Sequence, residues 1–148
     1  VMFFGGIMGI IANRIIEYLQ RKNLLIRGER YDQELVNELI KQLMSAPNGE
    51  LKSVYLYGSR ARGNYWMRSD HDFYVVFEDG MPDFYDTSHV DHFHMFNGPI
   101  SKTLKAKNLS TNFDLMVVDE SKWDNLAKMD GTHVQQCLEF GIKLYERT

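Results

Sequence analysis

Residues 57–72 read YGSRARGNYWMRSDHD and set two kinds of chemistry side by side. The first is anion binding. Gly58 and Ser59 follow a β-branched and aromatic run, and a glycine at that point lets backbone N–H groups approach an anion closely. A helix opening just after Ser59 would add its first amides to the same anion. Arg60 and Arg62 bring positive charge, and the planar guanidinium suits phosphate. The second is acidic. Asp70 and Asp72 lie two apart at the start of an apolar run, and on a strand such residues share a face. Neighbouring carboxylates raise each other's pKa unless something positive intervenes. A hard divalent cation, Mg²⁺ or Mn²⁺, is the fitting partner, held by one or two carboxylates and by substrate phosphates.

A third acid, Asp114, interrupts the apolar run NFDLMVV over residues 112–118. Buried and unpaired, it would cost several kcal/mol. It is therefore expected at a strand end, facing the same site as the other two. Three carboxylates beside a phosphate cradle describe two-metal phosphoryl or nucleotidyl transfer, with ions ~3.5–4 Å apart. Such a site works by positioning and charge stabilisation. Taken singly, Gly58–Ser59 reads as a plain strand-ending turn, and Arg60, Arg62 and Arg68 read equally as solvated loop charges. The combination carries the reading.

The elements that must position these residues follow from periodicity. Ile7, Ile10, Ile11, Ile15 and Leu19 recur near helical spacing over residues 7–20. A second helix fits residues 32–45, capped by Asp32, with Leu35, Val36, Leu39, Ile40 and Leu43 as one apolar stripe. Pro47, Asn48 and Gly49 end it. Strands are expected at 53–57, 72–77 and 112–118, the last two apolar enough to be covered on both faces or central in a sheet. A helix is expected at 101–107. Ser121 with Asp124, and Thr132 with Gln135, read as capping boxes, the second helix closing at Gly141. Helices alternating with strands imply layers around one sheet. One domain spanning residues 1–148 is expected, with N-terminal helices over about 7–45 and a catalytic core over about 51–147.

Gly58–Ser59, ten intervening residues and Asp70-His71-Asp72 resemble the G-S-x₁₀-D-x-D signature of the DNA polymerase β superfamily of nucleotidyltransferases, and the GSRARG loop looks closest to its minimal members. Asp114 fits the family's third acid. GIKLYER at 141–147 is similar to the segment that closes many of these domains. The resemblance implies an α+β fold, a mixed sheet of three or more strands flanked by helices. It also implies transfer of an NMP from an NTP, with ATP the expected donor. Asp70 and Asp72 would bind both metals, and Asp114 would bind the catalytic one and help deprotonate an acceptor hydroxyl. Gly58, Ser59, Arg60 and Arg62 would contact the nucleotide. Some relatives are antitoxins that adenylylate a small helical toxin, so the acceptor could be such a protein or a small molecule. An antitoxin acting by contact alone is the alternative. Bulky Tyr65, Trp66 and Met67, and His71 between the acids, depart from the usual pattern and bear on acceptor choice.

Composition narrows the partners. With 17 Lys and Arg against 20 Asp and Glu the net charge is −3, which disfavours a long nucleic acid as acceptor. Cys137 is the only cysteine, so a reducing, cytoplasmic compartment is expected. The apolar opening VMFFGGIMGII is far shorter than the ~20 residues a membrane span needs and lacks the marks of a signal peptide. Phe3 and Phe4 could seed a homodimer contact. His89, Asp91, His92 and His94 invite a zinc reading, but no cysteine or glutamate completes a recognised spacing.

Overall fold

A four-stranded sheet forms where the chain is richest in β-branched and aromatic residues. The computed structural model describes residues 7–21, 28–46, 49–79 and 96–148. Its strands are β1 (Leu51–Tyr57), β2 (His71–Phe77), β3 (Phe113–Asp119) and β4 (Ile142–Glu146), in spatial order β3-β2-β1-β4. β1 pairs antiparallel with β2 and with β4, whereas β2 and β3 run parallel. The parallel pair needs a crossover, and the chain between β2 and β3 provides it. This is an α+β fold with a mixed sheet. The fourth strand, IKLYE, is one the periodicity did not single out.

Helices cover both faces. They are α1 (Ile7–Arg21), α2 (Gln33–Met44), α3 (Gly58–Arg62), α4 (Gly98–Ala106), α5 (Glu120–Ala127) and α6 (His133–Phe140). On one face Leu35, Val36, Leu39 and Leu43 of α2, with Ile100 and Leu104 of α4, pack on Phe73, Val75, Phe77, Leu115 and Val117. On the other, Trp123 of α5 and Val134 and Cys137 of α6 pack on Tyr57, Tyr74, Val76 and Val118. Alternation along β2 therefore sends His71 to the α2 side and Asp72 to the α6 side.

The caps show where local chemistry sets the ends. Asp32 accepts from the amides of Glu34 and Leu35 and starts α2, as its position predicts. Thr132 starts α6 by accepting from Gln135 N–H at 3.2 Å. Helix α5 departs from expectation. Its cap is Asp119, which accepts from Lys122 N–H at 2.8 Å, while Ser121 is held by Asp79. Helix α4 begins earlier than 101, with Pro99 in its first turn, where a missing N–H costs nothing. The apolar spacing of α1 does not lead to burial: Ile10, Ile11, Ile15 and Tyr18 are about half exposed. Phe3, Phe4 and the His89, Asp91, His92 and His94 cluster lie outside the described residues. Among the described residues no helix is long and apolar enough to cross a membrane.

Candidate active site

Parallel pairing of β2 with β3 sets Asp72 and Asp114 as register partners, and antiparallel pairing of β1 with β2 sets Tyr57 on the other side of Asp72. Three adjacent strands thus contribute one row of side chains at the same end of the sheet. Asp114 is exposed, Asp72 is partly buried, and Asp70 lies exposed just before β2 begins. Burial pushes the Asp72 carboxyl up to about 6, and the neighbouring Asp114 and Asp70 carboxylates push the same way. His133 and Arg62 act in the opposite direction.

Gly58 is what lets Asp72 sit there. It turns the chain from β1 into α3 at φ +74, and a side chain on it would run into the Asp72 carboxylate. Ser59 follows in the first turn of α3. The helix is short, ending at Gly63 in the left-handed conformation.

The four residues expected to contact the nucleotide do not share one place. Gly58 and Ser59 form the turn, and Arg62 is exposed, with its charge felt at Asp72. Arg60 points the other way. It is only 5% exposed, and its guanidinium donates to the backbone carbonyls of Glu29, Arg30, Met67 and Ser69. Its expected phosphate contact is corrected accordingly: those donors are already committed to carbonyl oxygens. Two positions apart on a helix means a rotation of about 200°, so Arg60 and Arg62 face opposite sides. Tyr65 is also buried, its ring 5.4 Å from the Arg60 guanidinium. His71 is buried on the α2 side. Its Nε2 accepts from Asp32 N–H at 3.1 Å, and burial with nearby Arg60 drives its pKa down to about 4, so the ring is neutral.

Two residues at the site carried no functional signal in the sequence. Tyr57 forms its floor, and burial together with the Asp72 charge raises the phenol well above its ordinary value. The His133 ring lies 5.6 Å from that of Tyr57, at the start of α6. Cys137 is packed beneath, its thiol pushed up to about 12 by burial, which suits an inert core residue.

The donor set fits a hard divalent cation. All three acids offer oxygen, and the upward shift of Asp72 comes first from burial and then from the two neighbouring carboxylates, a repulsion that a cation would relieve. Among the described residues no three His, Cys, Asp or Glu side chains are already gathered as a metal-ligand cluster. A cation would therefore take its remaining ligands from substrate phosphates and water. A cavity of about 860 Å³, lined among others by Arg30, Asp32, Arg68, His71 and Asn112, opens on the α2 side of β2. The three acids do not line it.

Solved structures that overlap in part include a protein from Sulfolobus solfataricus assigned to the nucleotidyltransferases (26% identity, TM-score 0.45, covering 77% of this chain and 79% of that chain). A toxin–antitoxin complex with AMP-PNP (22% identity, TM-score 0.44, 76% and 74% covered) also overlaps. So does a mutant form of the MntA-HpeT toxin–antitoxin (23% identity, TM-score 0.40, 76% and 72% covered). A comparison with curated proteins finds no match. Family membership rests on none of these overlaps but on the domain itself. Residues 37–148 match the family described as polymerase beta, nucleotidyltransferase, and the chain belongs to that family.

Proposed function

We propose that the protein transfers an NMP, AMP from ATP, to a hydroxyl of a protein or small-molecule acceptor. The observation that carries this reading is the register pairing of Asp72 with Asp114 beside the Gly58–Ser59 turn. Asp70, Asp72 and Asp114 would hold Mg²⁺ or Mn²⁺. When bound, the ions neutralise the triphosphate and the leaving pyrophosphate. The turn amides and Ser59 hold phosphate oxygens, and Arg62 adds charge from the exposed side of α3. Asp114, exposed at the end of β3, receives the proton of the acceptor hydroxyl. That oxygen bonds to the α-phosphorus as the bond to pyrophosphate breaks.

The test is incubation with each labelled NTP and Mg²⁺ or Mn²⁺, with candidate acceptors followed by mass spectrometry. A double Asp70→Ala, Asp72→Ala variant should lose NTP–metal binding. Equal binding by wild type and variant would remove the site assignment.

A second reading, binding of a partner by contact alone, is favoured by one observation: the apolar side chains Ile10, Ile11, Ile15 and Tyr18 stand about half exposed on α1. Partner neutralisation that survives loss of Asp70 and Asp72 would support it over catalysis.

A further inference from the structure

Asp70 precedes the first residue of β2, so the sheet does not hold it directly. Its neighbours on either side are held. Ser69 O accepts from Arg60 Nε at 2.9 Å, and His71 Nε2 accepts from Asp32 N–H at 3.1 Å. The remaining Arg60 bonds tie Met67 O (3.0 Å) to Glu29 O (3.2 Å) and Arg30 O (3.1 Å). Tyr65 donates its hydroxyl to Gly28 O at 3.3 Å, and its ring supports the guanidinium. Every one of these bonds joins the 58–71 loop to itself or to residues 28–32. That segment precedes the part of the chain that matches the family, residues 37–148. It is anchored in turn because Asp32 caps α2.

We infer that residues 28–32 form a positioning strap for Asp70, clamped through the buried guanidinium of Arg60. Arg60 is a positioning residue. Its planar fork serves carbonyls on two chain segments at once, which a lysine ammonium cannot reproduce in the same geometry. The inference rests on the reading of Asp70 as a metal ligand. Groups that orient a ligand from behind typically change metal affinity 10–100-fold when removed.

The experiment uses the full chain as wild type, Arg60→Lys and Tyr65→Phe, the last removing one strap bond while leaving the buried charge in place. Mn²⁺ uptake is measured by paramagnetic resonance with a non-hydrolysable ATP analogue, alongside hydrogen exchange of the 66–71 amides and a thermal melt. Arg60→Lys is expected to fold, to need roughly tenfold more Mn²⁺ for half-saturation, and to exchange the 66–71 amides faster. Its affinity for the metal-free analogue stays that of wild type, a split that a general loss of stability would not produce. Tyr65→Phe should shift Mn²⁺ in the same direction by about two- to threefold, a weaker form of the same outer-shell effect. Should Arg60→Lys fail to fold, Tyr65→Phe alone decides. Unchanged Mn²⁺ half-saturation in the folded variants overturns the strap and leaves the metal site standing. Wild type that takes up no Mn²⁺ overturns the metal site itself, and the strap with it.

Discussion

Asp72 and Asp114 stand opposite each other on neighbouring parallel strands, one carboxylate partly buried against Gly58 and the other exposed. Like charges so placed destabilise a sheet, and nothing in packing requires them. On the proposed reading, the arrangement gives up stability to hold a cation.

Removing one charge should therefore stabilise the empty fold. Asp72→Asn is expected to raise the melting temperature at pH 7.5. The shift of Asp72 sets a ceiling of about 3 kcal/mol, and partial solvation reduces it to roughly 1–2 kcal/mol. The same variant should lose metal-dependent nucleotide binding. A thermal melt with and without Mg²⁺ and an ATP analogue reads both effects, since only the wild type should gain stability from the ligand.

Gly58→Ala should fail for two reasons at once. The backbone at φ +74 disfavours any side chain, and the new methyl would meet the Asp72 carboxylate. A loss of at least roughly 2 kcal/mol is expected, with nucleotide binding abolished in whatever protein folds. Denaturant titration checks the first, and a binding assay on the folded fraction checks the second.

The two arginines of the GSRARG loop should separate cleanly. Arg60→Ala strands four carbonyls around a buried gap and should cost about 3 kcal/mol or more. Arg62→Ala should move stability by less than about 0.5 kcal/mol, because the side chain is exposed. It should weaken NTP binding roughly tenfold through loss of a charge-assisted contact. Equal stability loss in the two variants would contradict the assignment.

These arginines also show what the sequence could tell. The apolar stripe of α2 and its Asp32 cap are legible because one helix face and one side chain suffice to define them. Strand β2 is legible because it is buried on both faces and reads as a continuous apolar run, and β3 keeps such a run past Asp114 although it lies at the sheet edge with that residue exposed. Strand β4 is half exposed at the sheet edge, so IKLYE lacks that mark. The motif spacing placed Asp70, Asp72 and Asp114 at one end of the sheet, yet it could not say which way a short helix turns, and so Arg60 and Arg62 looked alike. Nothing local marked His133, whose approach to Tyr57 depends on how α6 packs. Ser121 and Asp124 carry a capping pattern, but Asp119 reached the free amide first.

Two titrations oppose each other and can be separated. Folded His71 stays neutral down to about 4, while the unfolded ring takes a proton near 6.5. Its contribution to stability is full above 6.5 and is lost as pH falls towards 4. Asp72 holds its proton up to about 6 when folded but releases it near 3.8 when unfolded, so its contribution is full below 3.8 and gone above 6. In Asp72→Asn the opposing Asp72 slope is gone and His71 should dominate, a fall on the order of 2–3 kcal/mol between about pH 7 and 4, with the lowered Glu38 and Asp79 carboxylates adding to it only at the acid end. Adding His71→Gln should remove most of it, leaving only the acid-end part from Glu38 and Asp79. Denaturant midpoints across that range decide, and equal slopes in the two variants would refute the neutral buried histidine.

The most direct measurement counts Mn²⁺ ions bound per chain in the presence of a non-hydrolysable ATP analogue, for wild type and for Asp72→Asn with Asp114→Asn. Two ions on the wild type and a near-complete loss in the double variant are the expected result. Equal Mn²⁺ uptake by both proteins would contradict the assignment of this carboxylate pair as the metal-binding heart of the site.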